Sequence, residues 1–140
     1  ESEHGPRGGD ELNLIEPKKN DGWPAITWGL EYSRGRSSPY PEYEGLEQPL
    51  VYWAPSIGPS GMTVYRGAAF PEWDGDILLS SLIFNHVGRV DMDGLVAGEQ
   101  EILFSEVGER IRDVRTGPDG AIYLLLEGEN GRVMKVKPRK

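Results

Sequence analysis

The sequence DGDILL at residues 74–79 recurs as DGAIYL at residues 119–124, and these two stretches constrain the fold more than any other part of the chain. Each copy is followed by the tripeptide GRV, at residues 88–90 and 131–133. The repeat therefore has a period of about 45 residues, which is typical of the four-stranded blades of a β-propeller. Two Gly-rich hairpins that match by coincidence are the alternative interpretation.

Short strand-like segments continue on both sides of the repeat. Nineteen glycines and eleven prolines are spread along the 140 residues, and they punctuate the sequence too often for long helices. Apolar segments bounded by Gly, Pro, Asp or Asn lie at residues 50–53, 62–65, 77–82, 87–90, 102–104, 111–114, 122–126 and 133–136. This pattern predicts an all-β chain.

The segments also suggest how the chain is divided. Residues 33–48 lack periodicity and are predicted to form a long loop, residues 49–104 one blade, and residues 105–140 the strands of the last blade. About three four-stranded blades fit in this length, fewer than the four to eight that close a propeller. We therefore expect an incomplete ring within a single domain, completed by N-terminal blades of the same protein.

Charge and composition exclude several classes of function. The net charge is −8 and the pI is about 4.8, which argues against a nucleic-acid-binding surface because phosphates require clustered Lys and Arg. No apolar run is long enough to span a membrane. The absence of cysteine excludes disulfides, thiolate metal sites and cysteine nucleophiles. Acidic surfaces suit divalent cations or neutral substrates, but most are simply solvated faces.

The sequence EHGPRGGDELN at residues 3–13 is the strongest candidate for a ligand-binding loop. It places glycines, a proline and acidic residues just before an apolar run, where a loop entering a strand could present carbonyl oxygens and carboxylates. Asp10 and Glu11 are candidate ligand residues, and the alternative is that they form a solvated pair that stabilises a turn.

Six motifs in order extend over nearly the whole chain: EHGPRGGDELN at 3–13, NDGWP at 20–24, WGLEYS at 28–33, PSGMTVYRG at 59–67, GERIRDV at 108–114 and GPDGAIYLL at 117–125. Together they resemble the soluble pyrroloquinoline-quinone (PQQ)-dependent sugar dehydrogenases, in particular the aldose sugar dehydrogenase branch. The resemblance implies the C-terminal half of a six-bladed β-propeller in a periplasmic or secreted enzyme. Such an enzyme oxidises an aldose at C1 to the lactone and passes the electrons to an external acceptor.

The resemblance also implies ligand residues in the first part of the chain. The calcium ion that holds the quinone would be bound by the backbone carbonyls of Gly5 and Pro6, which are hard oxygen ligands. A second, structural calcium would be bound by the Glu11 side chain and the backbone carbonyl of Asp21, where relatives carry tyrosine. His4 lies beside the calcium loop and is expected to line the cofactor pocket.

Two arginines near the end of the chain correspond to the quinone-binding arginines of the family. Arg110 and Arg112 flank Ile111, and regular strand alternation predicts that both lie on one face, with Asp113 on the other. Their guanidinium forks match the carboxylates of the quinone. At position 83 this chain has Ile83, where relatives carry a lysine that pairs with the cofactor.

The catalytic base of the family, a histidine, belongs to blades that precede these residues, so no catalytic residue is predicted here. His86 lies in a predicted hairpin turn and is expected at the surface. Two other functions remain open. One is a non-catalytic extracellular propeller that binds protein or sugar, which Ile83 favours, and the other is a calcium-dependent lactonase.

Overall fold

The computed structural model describes residues 1–33, 35 and 38–138, and these residues divide into two compact units, Glu1–Gly58 and Pro59–Lys140. The described residues form ten strands and two short 3-10 helices, with no α-helix. None of them lies in a helix that is long and apolar enough to cross a membrane. Residues 34, 36 and 37 of the predicted loop 33–48 lie outside the described residues.

The first unit contains one small antiparallel sheet and a long irregular segment. The strands β1 (Ser2–Glu3), β2 (Asp10–Leu12) and β3 (Val51–Trp53) lie in that order. Because β3 pairs with β2, residues 51–53 belong to a different sheet from the strands of residues 59–103, with which the sequence division had grouped them. The described residues between β2 and β3 form no strand.

The second unit contains two antiparallel sheets. The first sheet is a meander of β4 (Pro59–Val64), β5 (Ile77–Ser81), β6 (Val87–Asp93) and β7 (Val96–Leu103). The other sheet is formed by β8 (Ile111–Thr116), β9 (Ile122–Leu126) and β10 (Arg132–Val136), with β9 in the centre. The two 3-10 helices, Pro71–Trp73 and Ser105–Val107, lie in the connections before β5 and β8.

The sequence repeat marks the same position in both sheets of the second unit. In each copy the Asp-Gly pair forms the turn before the second strand, and Gly75 and Gly120 have φ angles of 107° and 73°, which favour glycine. The GRV tripeptides lie in or at the start of the third strands, β6 and β10. The prediction of an all-β chain built from propeller blades is therefore confirmed, although one sheet has four strands and the other two have three.

A single apolar core lies in the second unit. It is formed by buried residues from both sheets, namely Tyr65, Leu78, Val87, Ile111, Val114, Ile122, Leu124 and Leu126. Tyr65 is the largest of them, and its ring packs edge-on against Phe70 and Trp73. The Tyr65 hydroxyl donates a hydrogen bond to the carbonyl of Gly120 (2.6 Å) and accepts one from the backbone amide of Phe70 (3.1 Å). This hydroxyl thus links the chain just after β4 to the Asp119–Gly120 turn before β9.

We predict that Tyr65→Phe lowers the free energy of unfolding by about 1–3 kcal/mol, because it leaves a buried carbonyl and a partly buried amide without their partner. Urea-induced unfolding of the purified protein measures the loss. Tyr123→Phe is the matched control, since the Tyr123 hydroxyl bonds the exposed Asp119 carboxylate and the Lys135 side chain rather than a buried backbone group. Equal losses in the two variants would contradict the assigned role of Tyr65.

Candidate functional site

The buried carboxylate of Asp10 organises the predicted ligand loop. Asp10 is fully buried in β2, and its Oδ1 accepts a hydrogen bond from the backbone amide of Gly5 (2.9 Å). Its Oδ2 accepts hydrogen bonds from the Ser56 hydroxyl (2.6 Å) and from the backbone amides of Ile57 (2.8 Å) and Gly58 (2.9 Å). The interpretation of Asp10 as a solvated turn residue is therefore wrong, because four donors replace water around its carboxylate.

Glycine is required in this loop because the backbone folds tightly on itself. A Cβ atom added to Gly5 would lie 2.0 Å from the carbonyl oxygen of Gly8. Gly9 has a φ angle of 69°, and a Cβ atom there would lie 2.3 Å from the backbone nitrogen of Gly29. Side chains at either position would therefore force the loop open.

A cavity of about 400 Å³ lies beside this loop in the first unit. Five residues that the sequence analysis selected line it: His4, Gly5, Pro6, Glu11 and Asp21. The rest of the lining consists of Glu3, Gly9, Asn20, Gly22, Trp23, Ile26 and Thr27. The structure thus brings these five residues together but not Asp10, and it adds Glu3, which the sequence analysis did not select.

The cavity is strongly acidic. Glu3 lies directly opposite Glu11 in the β1–β2 pair, and Asp21 lines the same cavity. Burial raises the pKa of Glu11 above its ordinary value, and the negative charges of Glu3 and Asp21 raise it further. The Asn13 amide only partly offsets these effects, since it donates to Glu11 Oε2 (3.2 Å) and to Glu3 Oε1 (3.4 Å). Like charges placed opposite each other destabilise a sheet unless a cation is bound between them.

The oxygen donors around the cavity suit a hard divalent cation such as calcium. Among the described residues, however, no three His, Asp or Glu side chains are close enough to one another to form a metal cage on their own. A cation bound here would therefore need backbone carbonyls as well as carboxylates. Gly5, Pro6 and Asp21, whose backbone carbonyls the sequence analysis selected as ligands, all line the cavity.

The predicted quinone-binding arginines lie in the second unit, where β8 is irregular. Ile111 pairs with Leu126 and Asp113 pairs with Leu125, so Arg112 is the extra residue of a β-bulge. For this reason Ile111 and Val114, three positions apart, are both buried. The expectation of regular alternation at this point is therefore wrong.

The bulge does not separate the two arginines, because both contact the same carboxylate. The Nη2 atom of Arg112 lies 2.9 Å from Glu127 Oε2, and the Nη1 atom of Arg110 lies 3.7 Å from the same oxygen. Arg112, with a smaller effect from Arg110, holds the pKa of Glu127 below its ordinary value. Sequence reasoning missed Glu127, although an acidic residue immediately after a strand that pairs with the arginine strand was a usable signal.

Other predicted positions have mixed outcomes. Asp113 forms an ion pair with Arg115 (2.9 Å) and accepts a hydrogen bond from the Val114 amide, in agreement with a structural role.

His86 is wrongly predicted as a surface residue, since it is only 9% exposed. Burial lowers the pKa of its imidazole, which stacks on the Phe84 ring. Ile83 is 54% exposed in the β5–β6 hairpin.

Comparison with known proteins gives a consistent result. The family model described as glucose/sorbosone dehydrogenase matches residues 1–135. An aldose sugar dehydrogenase of Escherichia coli is 43% identical over 99% of this chain, which spans 38% of that relative. Among solved structures, a glucose dehydrogenase superposes with a TM-score of 0.91 at 43% identity. The soluble aldose sugar dehydrogenase of Escherichia coli in its apo form superposes with a TM-score of 0.90 at 41% identity. Each structural match covers 99% of this chain and 40% of the other.

We predict that Asp10→Ala lowers the free energy of unfolding by about 3 kcal/mol, since three amides and a hydroxyl would lose their acceptor. Chemical denaturation measures this loss. Asp91→Ala, at an exposed position of β6, should change stability by less than about 0.5 kcal/mol. If Asp10→Ala lowers the free energy of unfolding no more than Asp91→Ala does, the four hydrogen bonds to Asp10 do not stabilise the loop as proposed.

Proposed function

Because the chain belongs to the glucose/sorbosone dehydrogenase family, we propose that the whole protein is a quinoprotein oxidoreductase that oxidises aldose sugars at C1 to lactones. The chain spans about two fifths of the length of the relatives it matches, so the activity is proposed for the whole protein. The remaining blades of the propeller, including the catalytic base, are proposed to lie N-terminal to these residues. A periplasmic or secreted location and an external electron acceptor belong to the same proposal.

The observation that carries the proposal is the acidic cavity of the first unit. Asp21 comes from a different motif than His4, Gly5, Pro6 and Glu11, yet all five residues line one cavity. We assign one calcium ion to the carbonyls of Gly5 and Pro6, and a second to the Glu11 carboxylate and the Asp21 carbonyl. Such ions would compensate the like charges that raise the pKa of Glu11.

The second unit supplies the proposed anion-binding groups. Arg110 and Arg112 are about half exposed, so their guanidinium forks are accessible to the carboxylates of PQQ. The quinone, when bound, would supply the hydride acceptor of the reaction, and calcium would act as a Lewis acid. The role of Arg110 and Arg112 is to bind and orient the cofactor. No proton transfer is assigned to His4.

A specific observation favours a second candidate function. Ile83 occupies the position of the cofactor-pairing lysine of relatives, and its side chain is exposed on a hairpin, where it cannot form an ion pair. A non-catalytic binding module of the same family would tolerate this residue. A calcium-dependent lactonase is the third candidate, although no structural observation supports it specifically.

Reconstitution separates these candidates. The full-length protein is incubated with calcium and PQQ, and the reduction of an artificial dye is followed after addition of glucose and other aldoses. We expect reduction that requires both the quinone and the sugar. A protein that neither binds the quinone nor reduces the dye would exclude the dehydrogenase, and lactone hydrolysis without quinone would identify a lactonase.

We predict that Glu11→Gln raises the unfolding temperature in the presence of a chelator, because it removes one of three repelling carboxylates. The same variant should lose the stabilisation contributed by the calcium ion assigned to Glu11 and Asp21, which for a single site is about 2.7 kcal/mol at one hundred times Kd. Differential scanning calorimetry with chelator and with calcium measures both effects.

Glu16→Gln is the matched control for this experiment, because Glu16 is exposed in the same unit and does not line the cavity. It should leave the response to calcium unchanged. If Glu11→Gln responds to calcium as strongly as the unmodified protein does, Glu11 is not a ligand.

A further inference from the structure

Glu127 occupies a distinctive position between the two arginines. Its backbone amide donates a hydrogen bond to the carbonyl of Arg110 (2.9 Å), which fixes it directly across from that residue just beyond β9. Its side chain then reaches Arg112, and a single oxygen, Oε2, faces both guanidinium groups. One carboxylate thus contacts two positive charges that would otherwise repel each other.

The geometry of these contacts leaves most of each guanidinium fork available. The ion pairs of Glu127 join its Oε2 to Nη1 of Arg110 (3.7 Å) and to Nη2 of Arg112 (2.9 Å). The arginine side chains are 56% and 45% exposed, and no other ion pair to either of them occurs between described residues. Because a guanidinium presents five N–H donors, each fork keeps donors for a ligand carboxylate.

A hydrogen bond from Ser60 holds the backbone next to Arg112. The β-bulge interrupts the regular strand pairing at Arg112, and the Ser60 hydroxyl donates a hydrogen bond to the carbonyl of the preceding residue, Ile111 (2.7 Å). Ser60 also contacts the buried Ser80 hydroxyl (2.8 Å), so the bulge is anchored to the adjacent sheet. The backbone is therefore fixed by Ser60, whereas the side chains are fixed by Glu127.

We propose that Glu127 is a positioning residue that holds Arg110 and Arg112 side by side, so that both forks face one polycarboxylate ligand. The inference rests on the proposed function, in which that ligand is PQQ. Glu127 itself does not touch the ligand. It acts through the two arginines, by balancing one of their charges and restricting their rotamers, so that less ordering remains when the ligand binds.

Equilibrium dialysis of PQQ against the calcium-loaded full-length protein tests this role. Glu127→Gln keeps the shape of the side chain but loses its charge, and we expect the Kd for the quinone to rise about tenfold. Glu127→Asp keeps the carboxylate and should bind within about threefold of the unmodified protein. Glu109→Gln is the matched control, because Glu109, just before Arg110, pairs with Arg132 of β10 (2.5 Å) and should leave the Kd unchanged.

A double-mutant cycle separates positioning from a general effect on folding. If Glu127 acts through Arg112, Glu127→Gln should raise the Kd only about twofold in an Arg112→Lys background, where the fork is already lost. A merely structural role would give the same increase in both backgrounds. Thermal unfolding without quinone, compared for all variants, verifies that the proteins are folded.

Each remaining outcome decides against the inference. Unchanged or tighter binding by Glu127→Gln would overturn it, and tighter binding would show that Glu127 competes with the ligand. An equal rise in Kd for Glu127→Gln and Glu109→Gln would overturn it as well. So would an equal rise in Kd on Glu127→Gln in the Arg112 and Arg112→Lys backgrounds. If the unmodified protein does not bind the quinone, the proposed function itself fails and the inference with it.

Discussion

The buried carboxylate of Asp10 is the interaction on which the candidate site depends. It accepts four hydrogen bonds from two segments that are distant in sequence, the loop at Gly5 and the chain at Ser56, Ile57 and Gly58. The described residues of the first unit form three short strands, so they have little regular hydrogen bonding with which to shape a loop. A buried acceptor with several donors supplies that order, and the neighbouring residue Glu11 is thereby directed toward the cavity.

In the second unit, an irregular strand positions the residues of the candidate site. In β8 the bulge at Arg112 moves Ile111 and Val114 onto the buried face and leaves the arginines beside Glu127. A bulge interrupts the regular ladder, and the Ser60 hydroxyl compensates for this by bonding the Ile111 carbonyl. Packing of the apolar core and presentation of charged side chains are therefore coupled in one short segment.

The sequence predicted the features that depend on local patterns. The repeat marked equivalent turns and strands, because Gly75 and Gly120 are needed for positive φ angles at the same place in each sheet. Residues of the opening motif line one part of the cavity, and residues 20–23, 26 and 27 line the rest. Burial of Asp10 and His86, the bulge at Arg112 and the contact with Glu127 were missed, because each depends on residues distant in sequence or on strand register. Periodicity alone cannot detect an extra residue in a strand.

Anomalous diffraction from crystals of the full-length protein grown with calcium tests whether the acidic cavity binds this ion. We expect anomalous density in the cavity beside the Glu11 carboxylate and the backbone carbonyl of Asp21, and also at the carbonyls of Gly5 and Pro6. A cavity that shows no anomalous density at saturating calcium, with Glu3 and Glu11 still facing each other, would contradict this expectation.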